Sequence, residues 1–184
     1  KKIKDLKNVF APPYDVISRA GQDGYYKAGP FNAVRLILNK PSKNDTPENN
    51  VYTRAAGFFK QWLKEGILKQ DKRPSIYIYG QEFKCGGRLR RTLGFIGISY
   101  LGGAPAGLAM PHENTFDGPR QDRERLLEAA GANLSCVYTL FDDPSFGVAG
   151  LLRQAVSARQ PHIDVTIDKV RHTLWKVADK AAIK

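Results

Sequence analysis

The sequence predicts an α+β fold with a mixed, mainly antiparallel sheet and flanking helices. Two β-rich runs, SIYIYGQEF and RTLGFIGISYL, are separated by KCGGRLR, whose glycines are typical of a hairpin turn. Two further alternating segments meet at Asp168-Lys169 in HIDVTIDKVRHTLWKVAD, which indicates a second hairpin. Because helical periodicity separates strands that pair locally, this order favours an α+β arrangement over regular βαβ units.

In the first half of the chain, FAPPYDVISRAG predicts an extended loop with a turn at Asp15, because proline disfavours helical backbone before it. The run AVRLILN is typical of a short buried strand. Apolar residues then recur at helical spacing from about Asn49 to Glu65. We expect this helix to begin near Thr46-Pro47-Glu48 and to end at Gly66.

In the second half, a helix is predicted to begin at Pro119 and to end at Gly131. LSCVYTLF follows as a predicted buried strand, and SFGVAGLLRQAVSA as a helix that its glycines weaken. We interpret Trp62 and Trp175 as core residues.

The chain of 184 residues is long enough for a sizeable hydrophobic core. We expect a single α+β domain over residues 1–184, or the N-terminal part of a longer protein, with a minor boundary near residues 101–110. The sequence has no uninterrupted apolar run of about 18 residues, and its first residues lack an apolar h-region, so we expect neither a secretory leader nor membrane association. The widely separated Cys85 and Cys136 are typical of free thiols, which favours a cytoplasmic protein.

The formal net charge of +11 is compatible with nucleic-acid binding. Four lysines lie in the first seven residues and three arginines in GGRLRRT, whereas the other positive residues are spread along the predicted helices and the tail, and no known nucleic-acid motif accompanies them. A solvated basic surface is therefore the favoured interpretation, and nucleic-acid binding is the alternative. Such a surface also attracts small anionic ligands.

The segment AMPHENTFDGPRQDRERLL concentrates groups that catalyse reactions. His112 titrates near neutral pH, and Glu113 beside it can act as a base or orient a substrate. The two side chains converge only if the backbone turns between them, which Pro111 and the preceding glycines allow. The alternative is that Glu113 and Thr115 are loop or capping residues of the following helix.

Arg120 and Arg123 lie three residues apart, hence on one face of the predicted helix near its N-terminal end. Cations are unfavourable there, because the helix dipole is positive at that end. Internal compensation by Asp117, Asp122 or Glu124 is one solution. An external phosphate or carboxylate, bound by the arginines and the free helical N–H groups, is the other.

Four blocks together resemble one prokaryotic family: APPYDVIS, YTRAAGFFKQWLKEGILKQDKRPSIYIYGQEF, PHENTFDGPRQDRERLLEAAGANLSCVYTLFDD and HTLWKVAD. This is the family catalogued as domain of unknown function 1015. Family members usually continue to a further block that is similar to the phosphate-handling motif of the ParB and sulfiredoxin-like superfamily, which includes free-serine kinases. We therefore expect this chain to be the N-terminal part of a larger protein. The motif positions carried over are Pro12, Pro13, Tyr14, Asp15, Pro111, His112, Glu113, Thr115, Asp122 and Arg123.

Together, the residues and the resemblance predict binding of a phosphate-bearing ligand such as a nucleotide, with phosphoryl transfer or hydrolysis. We expect Glu113 to act as acid/base or metal-facing carboxylate, with His112 and Thr115 positioning the substrate and Mg²⁺ bound with the nucleotide. The predicted ligand-binding residues are Tyr14, Asp15, Arg120, Asp122 and Arg123. The alternatives are a non-enzymatic nucleic-acid-binding or regulatory module and a structural or dimerising domain.

Overall fold

The computed structural model describes residue 3, residues 5–99 and residues 116–178. The chain divides into two compact units, of which unit 1 comprises residues 1–70 and 103–136 and unit 2 comprises residues 71–102 and 137–184. In the described part of the chain, unit 1 is helical, and unit 2 holds a four-stranded antiparallel sheet with one helix. The predicted α+β class is therefore confirmed.

The described helices are α1 Arg19–Ala28, α2 Val34–Ile37, α3 Val51–Lys64, α4 Asp117–Ala130 and α5 Gly147–Ser157, and the strands are β1 Ile76–Cys85, β2 Arg88–Ile96, β3 Ile163–Ile167 and β4 Val170–Val177.

The helix α3 confirms the span that was predicted from about Asn49 to Glu65. The Asn50 side chain accepts hydrogen bonds from the N–H groups of Tyr52 and Thr53, and the Thr53 hydroxyl accepts one from the Asn50 N–H at 2.9 Å. This reciprocal cap places the start after Asn50, so the start predicted at Thr46-Pro47-Glu48 is wrong. Gly66, with φ of +69°, follows the helix as predicted.

The core of unit 1 forms around Leu36, Ile37 and Trp62. Trp62 is 4% exposed, which confirms its predicted core position, and Phe31 packs edge-on against it with ring centroids 5.9 Å apart. The strand predicted for AVRLILN is wrong, because Val34–Ile37 form the short helix α2. A short, continuously buried apolar run has no periodicity that separates a strand from a helical turn.

Asn32 is fully buried and connects α2 to the N-terminal segment. Its Nδ2 donates to the carbonyl oxygens of Asn8 at 2.9 Å and Phe10 at 2.8 Å. Its Oδ1 accepts from the Val34 N–H at 3.0 Å, at the start of α2. One amide therefore satisfies the buried Val34 N–H and two less buried carbonyl groups, and it positions the loop that leads to Tyr14.

The helix α4 confirms the prediction from Pro119 to Gly131, with its first residue at Asp117. Gly131 adopts φ of +64° and its N–H donates to the Leu127 carbonyl, which ends the helix.

Unit 2 is built on a sheet with the strand order β2-β1-β4-β3, in which each neighbouring pair is antiparallel. Both predicted hairpins are confirmed. Gly86 and Gly87, both with positive φ, form the turn between β1 and β2. Asp168 and Lys169, with φ of 47° and 68°, form the turn between β3 and β4. The predicted helix in SFGVAGLLRQAVSA is confirmed as α5.

The buried strand predicted for LSCVYTLF is wrong, because no strand is formed there and Val137 and Tyr138 are each 87% exposed. Within this run, the ring centroid of Phe141 lies 6.0 Å from that of Phe95 in β2. An apolar run is typical of a strand, but a ladder also needs a neighbouring strand to pair with. Trp175, predicted as core, is only partly buried, and its Nε1 donates to the Arg159 carbonyl at 3.0 Å.

We predict that Asn32→Ala lowers the free energy of unfolding by about 1–3 kcal/mol, because it leaves the buried Val34 N–H without its partner. Urea unfolding followed by circular dichroism measures the change. Asn44 is exposed, so Asn44→Ala is the matched control and should change stability by less than about 0.5 kcal/mol. Equal effects of the two substitutions would contradict the role assigned to the Asn32 amide.

We predict that Gly80→Ala destabilises the sheet by about 1–3 kcal/mol, since an added Cβ would lie 2.7 Å from the Thr173 Oγ1. Gly94→Ala in β2 is the control, because nothing lies within 4 Å of a Cβ added there. Thermal unfolding should show a lower Tm for the first variant alone, and adding Thr173→Ala should restore part of the loss. A Gly80→Ala variant that melts like wild type would show that the Thr173 side chain moves aside without cost, and it would contradict the prediction.

Candidate functional site

The segment after Pro13 forms a 3₁₀ turn over Tyr14–Val16, which agrees with the turn predicted at Asp15. Tyr14 is half-buried against the core of unit 1, whereas the Asp15 side chain is exposed. Ser18, three residues further on, caps α1 by accepting a hydrogen bond from the Gly21 N–H at 3.1 Å. The loop therefore holds a ring inward and presents a carboxylate outward.

Arg123, on the first turns of α4, joins three segments of unit 1. Its guanidinium carbon lies 3.9 Å from the Tyr14 ring centroid. Its Nη1 donates to the Ile37 carbonyl at 2.9 Å, at the end of α2. Its Nε donates to Oδ2 of Asp122 at 2.9 Å, and Nη2 donates to the same oxygen. A guanidinium stacked on a ring and hydrogen-bonded on its edge is held in one orientation.

Asp122 is shared between Arg123 and α3. Its Oδ1 accepts a hydrogen bond from the Tyr52 hydroxyl at 2.8 Å. Burial raises the pKa of Tyr52 above its usual value of 10.0, and the hydrogen bond to the Asp122 carboxylate raises the pKa further. The structure thus brings together three of the predicted ligand-binding residues, Tyr14, Asp122 and Arg123. It compensates Arg123 internally, which is one of the two solutions that the sequence left open.

Arg120 is bound much more loosely than Arg123. Its Nη2 lies 3.3 Å from Oδ1 of Asp117, and the two side chains are 59% and 81% exposed. An exposed ion pair of this kind contributes about 0–1 kcal/mol, so it leaves the guanidinium free to bind another anion. No side chain of the described residues caps the N-terminal end of α4 at Phe116. The positive end of the helix and an exposed arginine therefore lie together.

The space beside Arg123 is small. A cavity lined by residues 36–39 together with Val51, Tyr52, Asp122, Arg123 and Leu126 has a volume of about 30 Å³. That is room for one water molecule, whereas ligand pockets measure about 300–1,000 Å³. An open groove of about 500 Å³ lies along α3 and α4, lined by Asn50, Tyr52, Thr53, Arg125, Glu128 and Ala129. The cavity beside Arg123 is therefore too small for a ligand of nucleotide size, whereas the open groove along α3 and α4 is large enough.

The three predicted catalytic residues, His112, Glu113 and Thr115, lie outside the described residues. In the chain they directly precede α4, at whose N-terminal end Arg120 is exposed.

Sequence reasoning missed two groups of residues that the structure brings together. Tyr52 and the Ile37 carbonyl complete the surroundings of Arg123, but no local pattern relates positions 37, 52 and 123. In unit 2, Tyr79 of β1 and His172 of β4 form a pair. Alternation along each strand assigns a face to each residue, but the pairing of β1 with β4 could not be read from the sequence.

The Tyr79 hydroxyl lies 2.6 Å from Nδ1 of His172, and the two rings stack with centroids 6.1 Å apart. Burial raises the pKa of Tyr79, and the side-chain hydrogen bond to Gln81 opposes this shift. Burial lowers the pKa of His172 from its ordinary 6.5, and the Asp168 carboxylate opposes this shift only in part. The imidazole is therefore neutral near pH 7 and carries a single ring N–H, which is on Nε2 in the tautomer whose Nδ1 accepts from the Tyr79 hydroxyl.

Among residues 5–99 and 116–178, no group of three or more His, Cys, Asp or Glu side chains is arranged to hold a metal ion. Asp122 is committed to Tyr52 and Arg123, so the exposed Asp15 is the one predicted site carboxylate of the described part with no hydrogen bond or ion pair. A magnesium ion that arrives with a nucleotide needs only one or two protein carboxylates. None of the described helices has the length and apolar character that crossing a membrane requires.

Comparison with known proteins identifies a family. The family model described as "Protein of unknown function (DUF1015)" matches residues 1–184, which confirms the family predicted from the motifs. No curated protein and no solved structure gives a significant match.

We predict that stability depends on pH through His172. The unfolded chain binds a proton at about the ordinary pKa of 6.5, whereas the folded chain binds it only at lower pH. The contribution of His172 to the free energy of unfolding is therefore fully present above pH 6.5 and decreases as the pH falls below that value. Thermal unfolding between about pH 5 and 7 should show this slope.

His172→Gln should flatten the slope, because glutamine does not titrate. The exposed His162, whose Nδ1 accepts from the Lys176 N–H at 3.2 Å, is the matched control, and the slope should decrease more in His172→Gln than in His162→Gln. A slope that persists in His172→Gln would show that other groups cause it.

Proposed function

The chain belongs to the DUF1015 family, and we propose that it binds a phosphate-bearing ligand at the N-terminal end of α4. The observation that carries this proposal is the exposed Arg120 guanidinium, whose one ion-pair partner among the described residues is loosely held, at a helix end that no described side chain caps. The oriented N–H groups and positive dipole of such an end favour phosphate. We further propose that the protein is cytoplasmic and that the ligand is a nucleotide.

Arg123 supports the same site in a different way. A guanidinium has five N–H donors, and the contacts of Arg123 to Asp122 and Ile37 use three of them. Two donors remain, one on each terminal nitrogen, and the side chain is 26% exposed. Arg123 therefore binds one phosphate oxygen and mainly positions the helix end, while Arg120 supplies the mobile charge. The Tyr14 ring packs against one face of the Arg123 guanidinium.

The chemistry proposed for the bound ligand is phosphoryl transfer or hydrolysis, in the manner of the free-serine kinases of the ParB and sulfiredoxin-like superfamily. Glu113 is the acid/base or metal-facing carboxylate, and His112 and Thr115 position the substrate. Asp15, exposed on its turn, is suited to hold a magnesium ion that arrives with the nucleotide. When bound, magnesium neutralises charge on the transferring phosphoryl group.

The proposed site is open in the described residues. The cavity behind Arg123 accommodates a water molecule and no more, so the ligand lies along the surface beside Arg120. Affinity then depends chiefly on charge and on the helix end, because little apolar surface is buried.

We predict that Arg120→Ala raises the Kd for the nucleotide about tenfold or more while leaving the Tm of the free protein unchanged. A thermal-shift panel of ATP, ADP, CTP, GTP and pyrophosphate, each with and without Mg²⁺, first identifies the ligand. A ligand at a hundred times its Kd should stabilise the protein by about 2.7 kcal/mol, or several degrees.

Lys60→Ala is the matched control, because it removes an exposed cation from α3 and should leave affinity unchanged. Arg123→Lys keeps the charge but loses the planar donor set, so it should weaken binding less than Arg120→Ala does. Glu113→Gln should abolish turnover while it preserves binding. If Arg120→Ala, Arg123→Lys and Glu113→Gln all leave affinity and turnover intact, the proposed site is wrong.

A further inference from the structure

The β1–β2 hairpin extends beyond the rest of the sheet. The register of β1 with β2 continues to Cys85↔Arg88, but the register of β1 with β4 stops at Glu82↔Arg171. The last three pairs, from Phe83↔Arg90 to the turn, therefore have no third strand beside them in the described residues. At about 3.3 Å per residue, this two-stranded tip is about 10 Å long.

The projecting tip carries a concentration of positive charge. Lys84, Arg88 and Arg90 all lie within it, and all three are exposed. Within the described part of the chain, none of the three forms an ion pair. Positive residues elsewhere in the same sheet are paired, as Arg171 is with Asp164.

The charges lie on both faces of the tip. Successive side chains of a strand point to opposite faces, so Arg88 and Arg90 share one face. Lys84 is the direct partner of Leu89 in the register and lies on the opposite face. A flat anionic surface contacts one face of such a ribbon, whereas a groove between two phosphate backbones contacts both.

We infer that the β1–β2 tip binds duplex DNA by entering its major groove. That groove is about 12 Å wide and about 8.5 Å deep, and it admits a two-stranded ribbon. The length of the tip, about 10 Å, is similar to the depth of the groove. Arg88 and Arg90 contact the phosphates of one wall, and Lys84 contacts those of the other. The major groove of A-form RNA is too narrow for this insertion. Binding through phosphates alone does not depend on base sequence.

A different explanation for the same charges is protection of the sheet edge. Arginine and lysine on an edge strand prevent edge-to-edge association of copies, and β2 is an edge strand. At the tip β1 also has no neighbour on its other side among the described residues, so protection of both edges accounts for Lys84 as well as for the arginines. The projection of the tip and the presence, on both of its faces, of charge without an ion-pair partner in the described chain favour the DNA interpretation.

The test is fluorescence anisotropy of the whole chain with a short labelled DNA duplex of mixed sequence over a range of salt concentrations. Each phosphate contact contributes about 0.9 to the slope of log K against log salt, so three contacts give about 2.7. A fourfold rise in salt should then raise Kd about 40-fold. The combined variant Lys84→Gln, Arg88→Gln and Arg90→Gln should reduce the slope by about 2.7.

The matched control is Lys72→Gln, Arg73→Gln and Arg153→Gln, which removes the same charge from exposed positions of unit 2 outside the tip. This variant should retain most of the slope. Arg88→Lys with Arg90→Lys keeps the charge and should also retain it, which separates loss of contact from loss of folding. Thermal unfolding should give both combined variants the same Tm.

Three outcomes would overturn the inference. They are absence of DNA binding at low salt, equal loss in the tip and control variants, and tighter binding to vesicles containing phosphatidylserine than to DNA. The experiment is independent of the proposed nucleotide site, because its variants lie in unit 2 and Arg120 lies in unit 1.

Discussion

The helical unit depends on one buried side-chain amide. Asn32 is 0% exposed, and its hydrogen bonds join residues 8–10 to the start of α2. These hydrogen bonds fix the position of the segment that leads to Tyr14, whose ring packs against Arg123. They also fix the start of α2, at whose far end the Ile37 carbonyl accepts a hydrogen bond from Arg123. The apolar core around Trp62 stabilises unit 1, but an apolar core tolerates small shifts that a three-way hydrogen-bonded amide does not.

Elements with a chemical signal at their ends could be predicted from the sequence. The glycines after α3 and α4 and the glycine pair in KCGGRLR adopt positive φ, a conformation that glycine favours and that ends a helix or forms a turn within a few residues. AVRLILN and LSCVYTLF carry only apolar content, and both strand predictions were wrong, in opposite ways. One run is helical and buried, and the other is exposed without regular structure. Apolar content alone determines neither the backbone conformation nor the presence of a neighbour.

The candidate site could be predicted only in part. The pairing of an arginine on α4 with Asp122 was among the compensations that charge and helix geometry suggested. The stacking of Arg123 on Tyr14 joins positions more than a hundred residues apart, which a single sequence does not reveal. The roles of His112, Glu113 and Thr115 stay predictions, because they lie outside the described residues. The structure adds a difference between the two arginines: Arg123 is fixed by its contacts, whereas Arg120 is exposed.

The strand order β2-β1-β4-β3 also has a consequence for how the chain acquires its structure. Each hairpin closes through a turn of a few residues, an event of microseconds. The central pairing of β1 with β4 must instead await residues 170–177, after the chain has contributed residues 103–136 to the other unit. Closing so long a loop costs entropy before any contact is gained. During synthesis, the first hairpin therefore stays without its β4 neighbour until almost the whole of this sequence has left the ribosome.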